Sequence, residues 1–154
     1  MLADFIYRAP YPGVGQQYNA ATAVSLGGGR PHLGASVSCD AGTLWVAVTT
    51  GVATGAHSWS RPNDGGASVL NDGGVPGLYE RTAISPDDKS LILTFDGGML
   101  RLSLQTDGTW ASVGLINIPG HPGARNASWD TNMGLFFDSP SADGGRGIFH
   151  ADPN

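Results

Sequence analysis

The chain of 154 residues is poor in the residue types that build helices, crosslinks and metal sites. A single cysteine, Cys39, excludes an intrachain disulfide and a cysteine-based zinc site. Glu80 is the only glutamate and Lys89 the only lysine, although both residue types are good helix formers. No apolar run reaches the length of a membrane-spanning helix. The composition therefore argues against long helices, disulfide scaffolds and membrane insertion.

Charge is also scarce, since charged residues make up 14% of the chain and the formal net charge is −5. The cations form no basic stripe, so we expect no nucleic-acid partner. The segment Met1–Arg8 has neither the basic start nor the apolar stretch of a signal peptide. The sequence leaves the location open between the cytoplasm and a virion.

Glycine is abundant, with 24 residues, and 10 prolines accompany it. Asp-Gly pairs recur at Asp64, Asp72, Asp96, Asp107 and Asp143. In such pairs the Asp carboxylate caps a turn and the Gly accepts the positive φ of a hairpin. None has the spaced carboxylates and terminal Glu of a calcium loop. The pattern predicts a meander of short strands joined by tight turns.

Six short apolar runs, each closed by Gly, Asp or Pro, are predicted as strands. They are Thr43–Thr49, Ser90–Phe95, Met99–Leu104, Trp110–Leu115, Met133–Phe137 and Gly147–His150. No stretch of the sequence shows a convincing helical period. We therefore predict a single all-β domain over residues 1–154.

A longer period is defined by three Ser-x-Asp segments that begin at Ser38, Ser85 and Ser128, at intervals of 47 and 43 residues. Each segment leads through a short turn into an apolar strand. Repeats of roughly 40–50 residues with several strands each are typical of β-propeller blades. The approximate units cover residues 32–80, 81–124 and 125–154, preceded by N-terminal strands within residues 1–31.

Two segments resemble known propeller repeats. Ser38–Trp45 is similar to the Asp-box of sialidase-type propellers, a Ser-x-Asp-x-Gly-x-x-Trp turn. Thr82–Gly114 resembles blades of propeller lectins and of bacterial surface propellers. The later units depart from the Asp-box, because Lys89 and Asn132 stand where its Gly should be. The resemblance implies a propeller-like fold of about three four-stranded units.

Three units fall short of the 4–8 blades that close a propeller. Phe5–Pro10 is similar to Gly147–Pro153, and both are predicted to be third strands of a blade. We therefore expect the ring to close by homo-oligomerisation, with strands exchanged between subunits. The alternative left open is a single β-sandwich or jelly roll of ten or more short strands.

Aromatic residues suggest sugar binding, because an indole face is a flat apolar platform with a hydrogen-bond donor at its edge. The predicted ligand-binding residues are Trp59, Arg61, Tyr79, Glu80 and Trp129. Packing between strands is an equally good interpretation of Trp59 and Trp129. For Trp45 and Trp110 packing is the favoured interpretation.

No catalytic set is recognisable in the sequence. Propeller lectins that bind fucose typically use an Arg, a Glu and a Trp per site, so Glu80 limits the chain to one such site. Sialidase chemistry uses a Tyr–Glu pair, but Tyr79 and Glu80 are adjacent and would face opposite sides of a strand. The histidines lack metal-ligand spacing. We expect no enzyme activity, no metal and no cofactor.

Two functions from different classes remain. The first is a non-catalytic carbohydrate-binding, lectin-like module that acts as a homo-oligomer. The second is a structural assembly protein of a virion, such as a phage capsid decoration or tail component. The chain itself is the expected partner in both, and glycans are a further partner in the first.

Overall fold

The computed structural model describes residues 6–8, 14–17, 22–24, 32–37, 43–48, 55–60, 69–70 and 74–152. Every regular element within these ranges is a β-strand. The strands are β1 (Ile6–Arg8), β2 (Thr22–Val24), β3 (His32–Val37), β4 (Thr43–Val48), β5 (Gly55–Ser60), β6 (Val69–Leu70), β7 (Val75–Pro76), β8 (Arg81–Ile84), β9 (Ser90–Phe95), β10 (Gly98–Leu104), β11 (Trp110–Leu115), β12 (Arg125–Trp129), β13 (Leu135–Pro140) and β14 (Arg146–Ala151). The prediction of an all-β chain is confirmed.

The strands form three small antiparallel sheets and one two-stranded hairpin, β1–β2. Sheet 1 has the order β3-β4-β5-β6, and β7 also pairs with β5. Sheet 2 has the order β8-β9-β10-β11, and sheet 3 has the order β12-β13-β14. Strands that are consecutive in sequence are therefore neighbours in sheets 2 and 3, as a meander requires. Within the described ranges the sheets do not close into a ring.

Asp-Gly turns have the predicted chemistry in two loops of the same length. Between β10 and β11, Asp107 Oδ1 accepts hydrogen bonds from the backbone N–H of Thr109, at 2.9 Å, and from its hydroxyl. Between β13 and β14, Asp143 Oδ1 accepts one from the backbone N–H of Gly145, at 3.1 Å. The glycines that follow the two aspartates have φ of 83° and 84°. Asp64 and Asp72 lie outside the described residues.

The hairpin at Asp96 differs from this scheme. Phe95 pairs directly with Gly98, so the loop contains only Asp96 and Gly97. The positive φ, 135°, belongs to Gly98, the first residue of β10, and not to the glycine next to Asp96. The second glycine of the Asp-Gly-Gly sequence therefore supplies the conformational freedom here.

The Ser-x-Asp segment before β9 forms a compact, internally bonded turn. Asp87 Oδ1 accepts hydrogen bonds from the hydroxyl of Ser85, at 2.6 Å, and from the backbone N–H of Lys89, at 3.1 Å. Ser85 Oγ in turn accepts one from the backbone N–H of Ser90, at 2.8 Å. The hydrogen bond from Ser85 is the main reason why the pKa of Asp87 lies below its usual value.

In the corresponding segment before β13 the aspartate also accepts backbone hydrogen bonds within the turn, but the serine lies outside the turn. Asp130 Oδ1 accepts hydrogen bonds from the backbone N–H groups of Asn132, at 2.7 Å, and Gly134, at 2.8 Å. Ser128 is exposed on β12 instead. The strand predicted from Met133 begins at Leu135, because Met133 has φ 67° and belongs to the turn. Ser38, which begins the first segment, lies outside the described residues.

Sheet 2 is the middle layer, and its strands β8 and β9 are covered on both faces. The first core, between sheets 1 and 2, contains the buried residues Ala56, Tyr79, Leu91, Leu93 and Leu102. The second core, between sheets 2 and 3, contains the buried residues Ala83, Ile92, Met99, Ala124, Ala127 and Phe137. The apolar run Leu91–Leu93 within β9 follows from this arrangement, since alternate residues of one strand enter different cores.

The first strands of the three sheets lie side by side. Ser36 Oγ of β3 accepts a hydrogen bond from the backbone N–H of Ile84 in β8, at 3.2 Å, and lies 3.0 Å from Thr82 Oγ1. The indole Nε1–H of Trp129 in β12 donates to the carbonyl of Ala83 in β8, at 3.1 Å. No helix among the described residues is long and apolar enough to cross a membrane.

Candidate binding site

A cleft of about 370 Å³ opens where sheets 2 and 3 meet. Its lining combines apolar and polar side chains from β10, the β11–β12 connection and sheet 3. Among the lining residues are Arg101, Asn117, Pro119, Trp129, Leu135 and Asp152. Mixed lining of this kind, with a few polar groups on an apolar wall, is typical of small-molecule sites.

Trp129 forms part of the cleft wall and is fixed by the strand pairing around it. It is the last residue of β12, pairs with Leu135 of β13, and is half-buried against the second core. Its only side-chain hydrogen-bond donor is already used by the carbonyl of Ala83. A ligand in the cleft would therefore contact the ring of Trp129 and not its indole N–H group.

Arg101 lies over this ring. Its Cζ atom is 6.0 Å from the centroid of Trp129, at the outer limit of a cation–π contact. One guanidinium nitrogen donates to Ser90 Oγ at 3.0 Å. The side chain is exposed and forms no ion pair within the described part of the chain. Since a guanidinium has five N–H donors, several remain available to a ligand.

Asp152 supplies a carboxylate at the cleft, and His150 and Asp130 lie next to it outside the lining. The side chain of Asp152 is 91% exposed, and its Oδ1 lies 3.7 Å from His150 Nδ1. The other ring nitrogen, His150 Nε2, lies 2.6 Å from Asp130 Oδ2. That hydrogen bond is the main cause that lowers the pKa of the Asp130 carboxyl. Asp152 is therefore the freer carboxylate and the one positioned to accept from a ligand.

The structure places Tyr79 in the first core, on the side of sheet 2 opposite Trp129. Its hydroxyl donates to the carbonyl of Pro76 at 3.1 Å, and burial raises its pKa. Glu80 is half-buried beside it, and its backbone N–H donates to the carbonyl of Thr94 at 2.7 Å. Tyr79 and Trp129 therefore do not share one site.

The remaining predicted residues are only partly described. The backbone of Trp59 pairs with Leu44 and Leu70, but its side chain and the whole of Arg61 lie outside the described part of the chain. Their ligand-binding roles stay predictions. Trp110 packs at the margin of the first core, in agreement with the packing role expected of it.

Sequence reasoning missed Arg101, Asn117 and Asp152. A signal existed only for Arg101, the single charged residue in the apolar strand Gly98–Leu104. A cation within an otherwise apolar strand must leave the core at a sheet margin or reach a partner. The sequence does not show that the partner is a tryptophan 28 residues downstream.

Neither a protein-family model nor a curated protein sequence matches this chain. Among the described residues, no group of three His, Cys, Asp or Glu side chains is arranged to hold a metal ion.

Proposed function

We propose that this protein is a non-catalytic carbohydrate-binding module and that the cleft between sheets 2 and 3 is its binding site. The observation that supports this most is the position of Arg101, exposed and directed over the ring of Trp129. Arg101 and Asn117 supply donors, Asp152 supplies acceptors, and the wall at Pro119 and Leu135 suits the C–H face of a pyranose ring.

The lining of the cleft favours binding over cleavage. Glycoside hydrolysis generally uses a pair of carboxyl groups on either side of the scissile bond. Asp152 is the only carboxylic acid among the described residues that line the cleft. A single, almost fully exposed carboxylate is suited to accepting hydrogen bonds from sugar hydroxyls.

We further infer that the stacked sheets are consecutive blades of a propeller-like repeat that acts as a homo-oligomer. Each sheet falls within one of the repeat units proposed from the Ser-x-Asp spacing. The sheets stack face to face with their first strands side by side, and sheet 2 is a complete four-stranded meander. These features support blades more than two sheets of a sandwich.

A glycan array probed with the wild-type protein and two arginine variants tests the binding proposal. Arg101→Ala removes the donors over Trp129 and should weaken binding about 10-fold or more, since hydrogen bonds to charged groups contribute about 1.5–3 kcal/mol. Arg81→Ala is the matched control, because Arg81 is exposed on β8 and does not line the cleft. Binding that is absent in the wild type, or unchanged in Arg101→Ala, contradicts the proposal. Trp59→Ala on the same array tests the remaining predicted tryptophan.

The second candidate, a virion assembly protein, is favoured by a different observation. Sheet 3 exposes large apolar side chains on its outward side, with Phe136 47% and Ile148 77% accessible. Exposed apolar residues on a sheet face are typical of surfaces that bind another protein. A protein that self-associates or binds a capsid but retains no glycan would fit this function and not the first.

A further inference from the structure

The second and third strands pair in the same register in sheets 2 and 3. Leu93 of β9 pairs with Leu100 of β10, and Phe137 of β13 pairs with Phe149 of β14. In sheet 2 this pair packs toward sheet 1, and in sheet 3 it packs toward sheet 2. In each sheet this pair faces the preceding layer. Successive side chains of a strand alternate between its two faces, so the residue immediately before each member of the pair faces the opposite side of the sheet.

The residues that face the opposite way have different surroundings in the two sheets. In sheet 2 they are Ile92 and Met99, which are 1% exposed because sheet 3 covers them. In sheet 3 the equivalent residues are Phe136 and Ile148, which are 47% and 77% exposed. A sheet with one solvated face normally carries polar residues on that face. Sheet 3 instead keeps apolar residues at the two positions that sheet 2 buries.

The polar groups around these two residues are already paired with one another. Asp138, which pairs in register with Ile148, accepts from Arg146 at 2.8 Å and from Asn126 at 3.1 Å. At the other end, His150 is paired with Asp130. A partner could therefore cover the apolar pair without leaving these charges unpaired, which would be costly in a buried interface.

We propose that this outer face of sheet 3, with Phe136 and Ile148 at its centre, is an interface that binds a second copy of this chain. Within one chain, the equivalent face of sheet 2, which carries Ile92 and Met99, is covered by sheet 3. A second copy of the chain supplies antiparallel sheets of the same kind to cover Phe136 and Ile148. The paired charges at its margin carry both signs, so the face favours neither a strongly acidic nor a strongly basic partner. The proposal rests on the homo-oligomeric part of the proposed function and is independent of glycan binding.

Sedimentation velocity over a dilution series tests the interface. The wild-type protein should self-associate, and Ile148→Lys should raise the dissociation constant at least about 10-fold, because a central apolar contact is replaced by a desolvated charge. Leu115→Lys is the matched control, since Leu115 is an apolar residue 68% exposed on the edge strand β11. The control should associate like the wild type.

A second variant distinguishes weaker association from a loss of folding. Ile148→Thr keeps a β-branched side chain and removes apolar area, so it should fold with an unchanged thermal midpoint and still weaken association. A wild-type protein that stays monomeric across the series overturns the proposal, and so does an oligomer that both Ile148 variants leave intact. Glycan binding measured on monomeric Ile148→Lys stays a separate result, so failure of the interface and failure of the sugar site are distinguishable.

Discussion

At the scale of single residues, four aspartates stabilise the turns of this chain by accepting local hydrogen bonds. Asp87, Asp107, Asp130 and Asp143 each accept backbone hydrogen bonds within their own turns, and each has a lowered pKa because of its hydrogen bonds. This use of aspartate could be predicted from Asp-Gly and Ser-x-Asp spacing, because the capping geometry is local. The hydrogen bond between Asp130 and His150 could not be predicted from the sequence, because the two residues are 20 positions apart.

Asp138 gives a prediction about pH. The hydrogen bond from Arg146, and after it the one from Asn126, lower the pKa of Asp138 in the folded protein below the usual 3.8. Its stabilising effect is therefore present at neutral pH and is lost as the pH falls through the lowered folded-state value. Urea unfolding should show that Asp138→Asn is less stable than the wild type at pH 7 and loses less further stability when the solution is acidified to about pH 3. Equal losses in both proteins would contradict this role of Asp138.

Gly134 gives a prediction about close packing. A Cβ at this position would lie 2.6 Å from Asp130 Oδ2 and 2.7 Å from His150 Nε2, whereas one at Gly145 would lie 3.4 Å from its nearest neighbour. Gly134→Ala should therefore lower the free energy of unfolding by about 1–3 kcal/mol, and Gly145→Ala should change it by less than about 0.5 kcal/mol. Chemical denaturation of both variants measures the difference. Similar effects at the two glycines would show that the Asp130–His150 pair tolerates displacement.

At the scale of elements, strand positions were more predictable than strand surroundings. Ser90–Phe95 and Trp110–Leu115 have the predicted bounds, because apolar runs end where turn residues begin. The two-sided burial of β9 also agrees with the three consecutive apolar residues Leu91–Leu93. The contact between Arg101 and Trp129 depends on how sheet 3 packs on sheet 2, which no local pattern in the sequence specifies.

The middle position of β9 predicts where the chain is most sensitive to truncation of a side chain. Leu93 is fully buried in the first core, so Leu93→Ala should lower the free energy of unfolding by about 2–5 kcal/mol. Leu115→Ala, at an exposed position in the same sheet, should have an effect smaller than about 1 kcal/mol. Urea denaturation at neutral pH compares them. A small effect at Leu93 would mean that sheets 1 and 2 do not form one core.

At the scale of the whole molecule, three stacked antiparallel sheets place a mixed cleft between sheets 2 and 3 and an apolar face on the far side of sheet 3. Each sheet lies within one of the units defined by the Ser-x-Asp spacing, but only sheet 2 has the four strands predicted for a unit. The cleft could not be anticipated, because its walls come from β10, β12 and the ends of sheet 3. These are the two separate surfaces to which we assign the proposed sugar binding and the proposed self-association.

The proposed binding of carbohydrate by Arg101 and Trp129 is tested most directly by a nuclear magnetic resonance titration. The labelled protein is titrated with a glycan selected on the array, and the Nε–H of Arg101 and the indole N–H of Trp129 are followed. We expect saturable shifts of both signals at the affinity found on the array, with the signal of Arg81 unmoved. A glycan that binds while leaving the Arg101 and Trp129 signals in place, or the failure of any glycan to bind, would contradict the proposed site.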